Sequence, residues 1–71
     1  MADDISVKLG QFIKLTRMKK SITQEELAWR CQINVNTLGR IERAEIDLKF
    51  STLNKLLKEL QLTFSDLEFL S

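Results

Sequence analysis

The sequence has no histidine, no proline and no tyrosine, and only one cysteine and two glycines in 71 residues. Without imidazole, histidine acid–base catalysis, a Ser/His/acid or Cys/His nucleophile pair and any His-containing zinc site are excluded. A lone Cys31 can build neither an internal disulfide framework nor a Cys cluster. No metal, cofactor, small-molecule ligand or enzymatic activity is therefore expected, and a chain without staples suits a reducing cytoplasm. Long apolar runs are missing as well. Nothing approaches the ~18 residues of a membrane span, and Asp3 and Asp4 stand where a signal peptide would carry positive charge. Surplus charge is also absent: 11 basic against 10 acidic residues leave +1, which neither announces nor forbids a nucleic-acid partner. A chain this short is expected to form one domain, residues 1–71, burying only about 60% of the surface its unfolded form exposes.

What is present favours helices. Lys, Glu, Gln and Arg dominate the polar residues, and helix breakers are nearly missing. Ile5, Leu9, Phe12, Ile13 and Thr16 recur on one face of a first helix, with Asp3, Asp4 and Ser6 at its start and Lys19 and Lys20 at its end, as the helix dipole favours. Gly10 inside it is a mild cost and a candidate point of close helix contact. Thr23-Gln24-Glu25-Glu26 reads as a capping box, with Ile22 and Leu27 at staple spacing. Asn34 repeats the cap with Ile33 and Leu38, and Thr63 repeats it with Leu62, Leu67 and Asp66 in the reciprocal position. Leu53, Leu56, Leu57 and Leu60 form one more amphipathic stripe. The expected fold is an all-α, compact five-helix bundle, with helices near 5–19, 24–31, 35–43, 51–60 and 64–69.

The short second connection carries the functional content. About three residues between Cys31 and Val35 suit a sharp crossing of two short helices, a helix-turn-helix at 24–43. With about 100° between successive side chains, Leu38, Ile41 and Glu42 lie to one side of the third helix. The opposite side presents Asn36, Arg40 and Arg43, flanked by Val35, Thr37 and Gly39, and carries no acid. Arg donates bidentately to guanine, Asn pairs with adenine and Val touches a thymine methyl in the major groove. Val35, Asn36, Thr37, Gly39 and Arg40 are thus the candidate base readers. Gln24, beside free N–H groups at the start of the second helix, is a candidate phosphate clamp, and Thr23, Arg43 and Lys49 complete the phosphate set.

The segment TQEELAWRCQINVNTLGRIER, Thr23 to Arg43, resembles the Cro/cI-type (Xre) helix-turn-helix family of bacterial and phage transcription regulators. The likeness rests on Gln24, Leu27, Ala28, Cys31, Ile33, Leu38, Ile41, Glu42 and Arg43, and continues through Phe50, Leu53, Leu56, Leu60 and Leu62. It implies a lambda-repressor-like DNA-binding domain. It also implies a buried ion pair between Arg17 and Glu42, which would make Glu42 structural. Two departures stand out: Gln32 and Ala44 occupy positions where the family usually has Gly, and a left-handed backbone strains a residue with a Cβ by roughly 1–2 kcal/mol. Compact size, the spacing from Ile41 to Leu48 and the acidic-apolar C-terminus look most like restriction-modification controller proteins, although small phage repressors and antitoxin subunits share most of these features.

Phe64, Leu67, Phe69 and Leu70 are too apolar for a bare C-terminus. Part of this set is expected to close the core and the rest to form a two-fold dimer interface. Trp29 is expected to lie partly exposed on the second helix, beside the DNA backbone or against the first helix. The resulting expectation is a homodimeric regulator bound to palindromic double-stranded DNA, with RNA polymerase as a further partner through exposed acids. The alternative is a helical protein-interaction module such as an antitoxin-like subunit.

Overall fold

The computed structural model describes residues 3–70. Four α-helices, α1 (Asp4–Lys19), α2 (Gln24–Cys31), α3 (Val35–Glu42) and α4 (Phe50–Glu59), are followed by a 3₁₀ segment, η1 (Phe64–Leu70). Three of the α-helices begin at side-chain caps. Asp3 accepts from the Ser6 N–H at 2.7 Å, Thr23 Oγ1 from the Glu26 N–H at 3.1 Å, and Asn34 from the Asn36 N–H at 2.7 Å. The backbone bond from Ser6 also holds the Asp3 carboxyl below its usual range.

The helix ends share one hydrogen-bond pattern. After α1, Ile22 N–H bonds Arg17 O and Ser21 N–H bonds Met18 O; after α2, Ile33 and Gln32 bond Ala28 and Trp29 in the same way. The pattern recurs with Glu45 and Ala44 after α3, and with Leu62 and Gln61 after α4. Each is a Schellman stop, a motif in which the residue after the cap turns left-handed and is usually Gly. Here these residues are Ser21, Gln32, Ala44 and Gln61, at φ 57 to 59°. Gln32 and Ala44 therefore keep the turn shape that Gly would give, and carry the strain of a Cβ. Ile22, Ile33 and Leu62, following three of these turns, pack against the core, so apolar burial holds the stops without glycine.

The core consists of Ile13, Leu27, Ala28, Cys31, Leu38, Ile41, Leu56 and Leu60. α3 packs on both α1 and α2, α4 packs on α2, and η1 packs on α1. The α1–α3 crossing depends on Gly10: a Cβ there would lie 2.6 Å from Ile41 O and 2.8 Å from Glu42 O. Burial pushes the Cys31 thiol up, reinforced by the charge of Glu59, leaving an inert core residue. Among the described residues no helix is long and apolar enough to cross a membrane.

Several local expectations are corrected. The fifth element is 3₁₀ rather than α. At its start Asp66 accepts from the Thr63 N–H at 2.8 Å, but Asp66 N–H bonds Thr63 O rather than the hydroxyl, so one half of the expected capping box is missing. The box at Thr23 is half-formed in the opposite sense, because the Glu26 carboxylate turns to Arg30 at 3.0 Å instead of back to Thr23 N–H. Ile5 is 55% exposed despite its place in the apolar stripe. Leu9, one turn on, is the residue that packs against the core, and it lines a small cavity together with Ile41, Ala44, Ile46 and Leu48.

Candidate nucleic-acid interface

Three α-helices meet at one buried polar node. Arg17, from the last turn of α1, donates through Nε to Glu42 Oε2 at 2.7 Å and through Nη2 to Glu42 Oε1 at 3.2 Å. Its third nitrogen, Nη1, bonds Ile22 O at 2.8 Å. The first helical residue of α2 completes the node: Gln24 Nε2 donates to Glu42 Oε1 at 2.9 Å. Among the described residues no buried side-chain polar atom lacks a partner, which is the condition under which a buried pair is tolerated. The α1, α2 and α3 orientations are tied to one carboxylate, and the pose of α3 follows from it.

The outward side of α3 is free of acids. Asn36 and Arg40 are exposed, while Val35 and Thr37 are half-buried along their flanks. With Asn34 and Arg43 they line a broad concavity of about 670 Å³ in the angle between α2 and α3. Gly39 departs from its expected role: it is buried, and the Arg43 guanidinium covers it, with Nη1 3.1 Å from where a Cβ would stand. Arg43 is held by Glu45, Nε to Oε2 at 2.8 Å and Nη2 to Oε1 at 3.4 Å. This contact raises the Arg43 pKa and lowers that of Glu45.

The helix-turn-helix family pattern matches residues 13–67, which take in both helices that frame this concavity, α2 and α3. The chain belongs to the helix-turn-helix family. Among solved structures, this helix-turn-helix protein is similar to the restriction-modification controller protein C.AhdI from Aeromonas hydrophila, with 28% identity, TM-score 0.83, and 90% of this chain and 96% of that one covered. It is similar to the wild-type controller C.Esp1396I at 28% identity and TM-score 0.86, over 96% of this chain and 90% of that one. The fold also matches the clp gene regulator ClgR from Corynebacterium glutamicum at TM-score 0.88 and 20% identity, over 99% of this chain and 74% of that one. A comparison with curated proteins finds no match. The helix-turn-helix chain is a DNA-binding regulator of transcription.

Within the helix-turn-helix, the expected site residues separate into groups. Val35, Asn36, Thr37 and Arg40 share the concave side of α3. Gln24 reaches the same concavity but is half-buried and spends one amide N–H on Glu42, so it is not the free clamp that its sequence position suggests. Thr23 is occupied as the α2 cap. Lys49 is exposed at the start of α4 and makes no side-chain cap bond. Phe69 lies on Phe12 of α1, ring centroids 4.9 Å apart, and Phe64 stacks on Phe50 at 5.6 Å. Trp29 is 78% exposed and so is not packed on α1. The residue missed by sequence reasoning is Glu45. Its only signal was an acid two positions after an arginine, across a helix end.

Proposed function

We propose that this regulator acts in the cytoplasm as a homodimer on an approximately palindromic operator, in the manner of a restriction-modification controller protein. The observation that carries this reading is the acid-free outer side of α3, where Asn36 and Arg40 are exposed between Val35 and Thr37. A helix with these groups fits the major groove, whose base edges offer acceptors to Arg, a donor–acceptor pair to Asn and methyls to Val and Thr. Lys49 flanks it as a phosphate contact, while Arg43, paired with Glu45, lines the same concavity. Gln24 contributes its second amide hydrogen, and Thr23 orients the first turn of α2 against the backbone.

Size argues for two copies. Half-sites on one face of DNA lie about 34–36 Å apart, whereas one chain measures 28 × 25 × 21 Å. The stacked Phe50 and Phe64 remain 70% and 48% exposed, and with the half-buried Leu67 and Leu70 of the same 3₁₀ segment they supply the apolar groups for a two-fold contact. Phe69 anchors the same segment to Phe12 of α1. Monomer–dimer equilibrium then sets operator occupancy by protein concentration.

The test is a binding titration against operator and random duplexes across salt. Arg40→Ala should lower operator affinity by about 1–3 kcal/mol and spare random DNA. Unchanged affinity in both Arg40→Ala and Asn36→Ala would sink the base-reading assignment and favour a protein-interaction module. Sedimentation of Phe64→Lys tests the interface, since a dimer that survives it does not use this surface.

A further inference from the structure

Glu42 and Arg43 are neighbours in sequence, yet only Glu42 has been accounted for by the fold. Arg43 lies at the end of α3 with its N–H bonded to Gly39 O at 3.1 Å. Its guanidinium runs back over Gly39 into the concavity that faces DNA. Glu45 takes the Nε hydrogen and one of the two on Nη2, and Nη1 has no hydrogen-bond partner among the described residues, so three donors remain at the end of the guanidinium. The backbone sets this up. Ala44 turns left-handed at φ 58°, and Glu45 N–H closes on Arg40 O at 2.8 Å, so the Glu45 side chain is returned to the side of α3 that bears Arg43. Gly39 supplies the room, because any Cβ would crowd Nη1.

We infer that Glu45 is a specificity-determining positioning residue: it pins Arg43 across Gly39 so that only the Nη1–Nη2 end of the guanidinium meets DNA. This rests on the base-reading function assigned to α3. A free arginine beside a duplex finds a phosphate anywhere and adds to sequence-independent affinity. An arginine whose charge is matched by a carboxylate, and whose remaining donors point in one direction, is attracted weakly by phosphates in general. It gains only where an acceptor such as guanine O6 or N7 meets that end. Glu45 thus converts a nonspecific cation into a selective donor. An acid beside the recognition helix, which would ordinarily oppose DNA, contributes by suppressing the wrong sites.

The experiment compares operator and scrambled duplexes of equal length across salt for Glu45→Gln, Arg43→Ala, the double variant and Gly39→Ala. Glu45→Gln should strengthen scrambled-duplex binding, steepen its log–log salt slope by about 0.9 for one added phosphate contact, and lower the operator-to-scrambled ratio by about tenfold. In the Arg43→Ala background, Glu45→Gln should leave the ratio unchanged. Gly39→Ala should lower the ratio without lowering thermal stability, since Ala is the better helix former by about 1 kcal/mol. If Glu45→Gln strengthens both duplexes equally, its effect is bulk charge and the inference is overturned. Arg40→Ala separates the two levels: a drop in operator affinity with no change in the Glu45→Gln ratio refutes the role of Glu45 alone, while no drop refutes the base-reading function beneath it.

Discussion

Two Arg–Glu pairs lie at the end of α3, and they differ in almost everything except chemistry. Arg17–Glu42 joins helices across 25 residues of sequence and is buried, the Glu42 side chain 1% exposed. Arg43–Glu45 spans two residues and lies half in water, at 59% and 50%. Both use Nε and Nη2 against two carboxylate oxygens at closely similar distances. Distance therefore says little about the work each pair does. The buried pair cannot exchange its partner for water, so it fixes where α3 sits. The exposed pair touches no other helix, so it governs only what α3 presents to DNA.

The sharpest way to break this contrast is to remove one charge from the buried pair. Glu42→Gln leaves Arg17 charged and without its counter-ion, which should cost about 3–5 kcal/mol. Chemical denaturation should show the midpoint falling with an unchanged m-value. A midpoint near that of the parent would mean the node tolerates an unpaired guanidinium and is not what orients α3.

The second test targets the backbone beneath the same carboxylate. Gly10 faces the carbonyls of Ile41 and Glu42 at distances no Cβ can share, so Gly10→Ala forces α1 and α3 apart. The expected cost is about 1–3 kcal/mol, read from thermal melting, in spite of the better helix propensity of Ala. Operator affinity should fall along with it, because the shift displaces the end of α3 that carries Arg40 and Arg43. Intact stability would show that the crossing has slack.

A smaller effect of opposite sign is expected at the turn. Gln32 sits at φ 57°, where a Cβ costs roughly 1–2 kcal/mol, partly offset by the greater unfolded freedom of Gly, roughly 0.5–1 kcal/mol. Gln32→Gly should stabilise by about 0.5–1 kcal/mol, which differential scanning calorimetry can resolve. A lower melting temperature would show that the Gln32 side chain makes a contribution the turn geometry hides.

These sites also show what sequence makes visible. Caps and apolar stripes are local, and they placed every α-helix to within a residue, with Thr23 and Asn34 as the start signals. The Arg17–Glu42 pair is not local, and it was visible through family resemblance alone. What stayed hidden depended on choices between competing partners. Gln24 has both a groove and a buried carboxylate within reach, and the buried carboxylate held the amide. Glu26 could return to Thr23 or reach Arg30, and the charged partner one turn away prevailed. Gly39 counted among the candidate base readers because nothing local says that a side chain four residues later will cover it. Ile5 continues the period of α1, but periodicity reports a helix face and not how far its neighbours extend.

The smallest expected effect completes the comparison. Double-mutant analysis of Arg43 and Glu45 should give a coupling in folding stability too small to resolve, since surface pairs lose to hydration and side-chain entropy most of what they gain. The pair has a pH signature nonetheless. Hydrogen bonding to Arg43 depresses the Glu45 carboxyl in the folded chain, so its small contribution is present above the unfolded carboxylate value and disappears as pH falls through the lower folded one. The folded chain should therefore hold the Glu45 proton less tightly than Arg43→Ala does, a difference that side-chain carboxyl NMR shifts can follow through the acid range. Equal titration in the two proteins would mean that the exposed pair is not formed in solution. Arg43 would then be a free cation, and the contrast between an ion pair that orients the helix and one that aims its donor would collapse to a single structural pair.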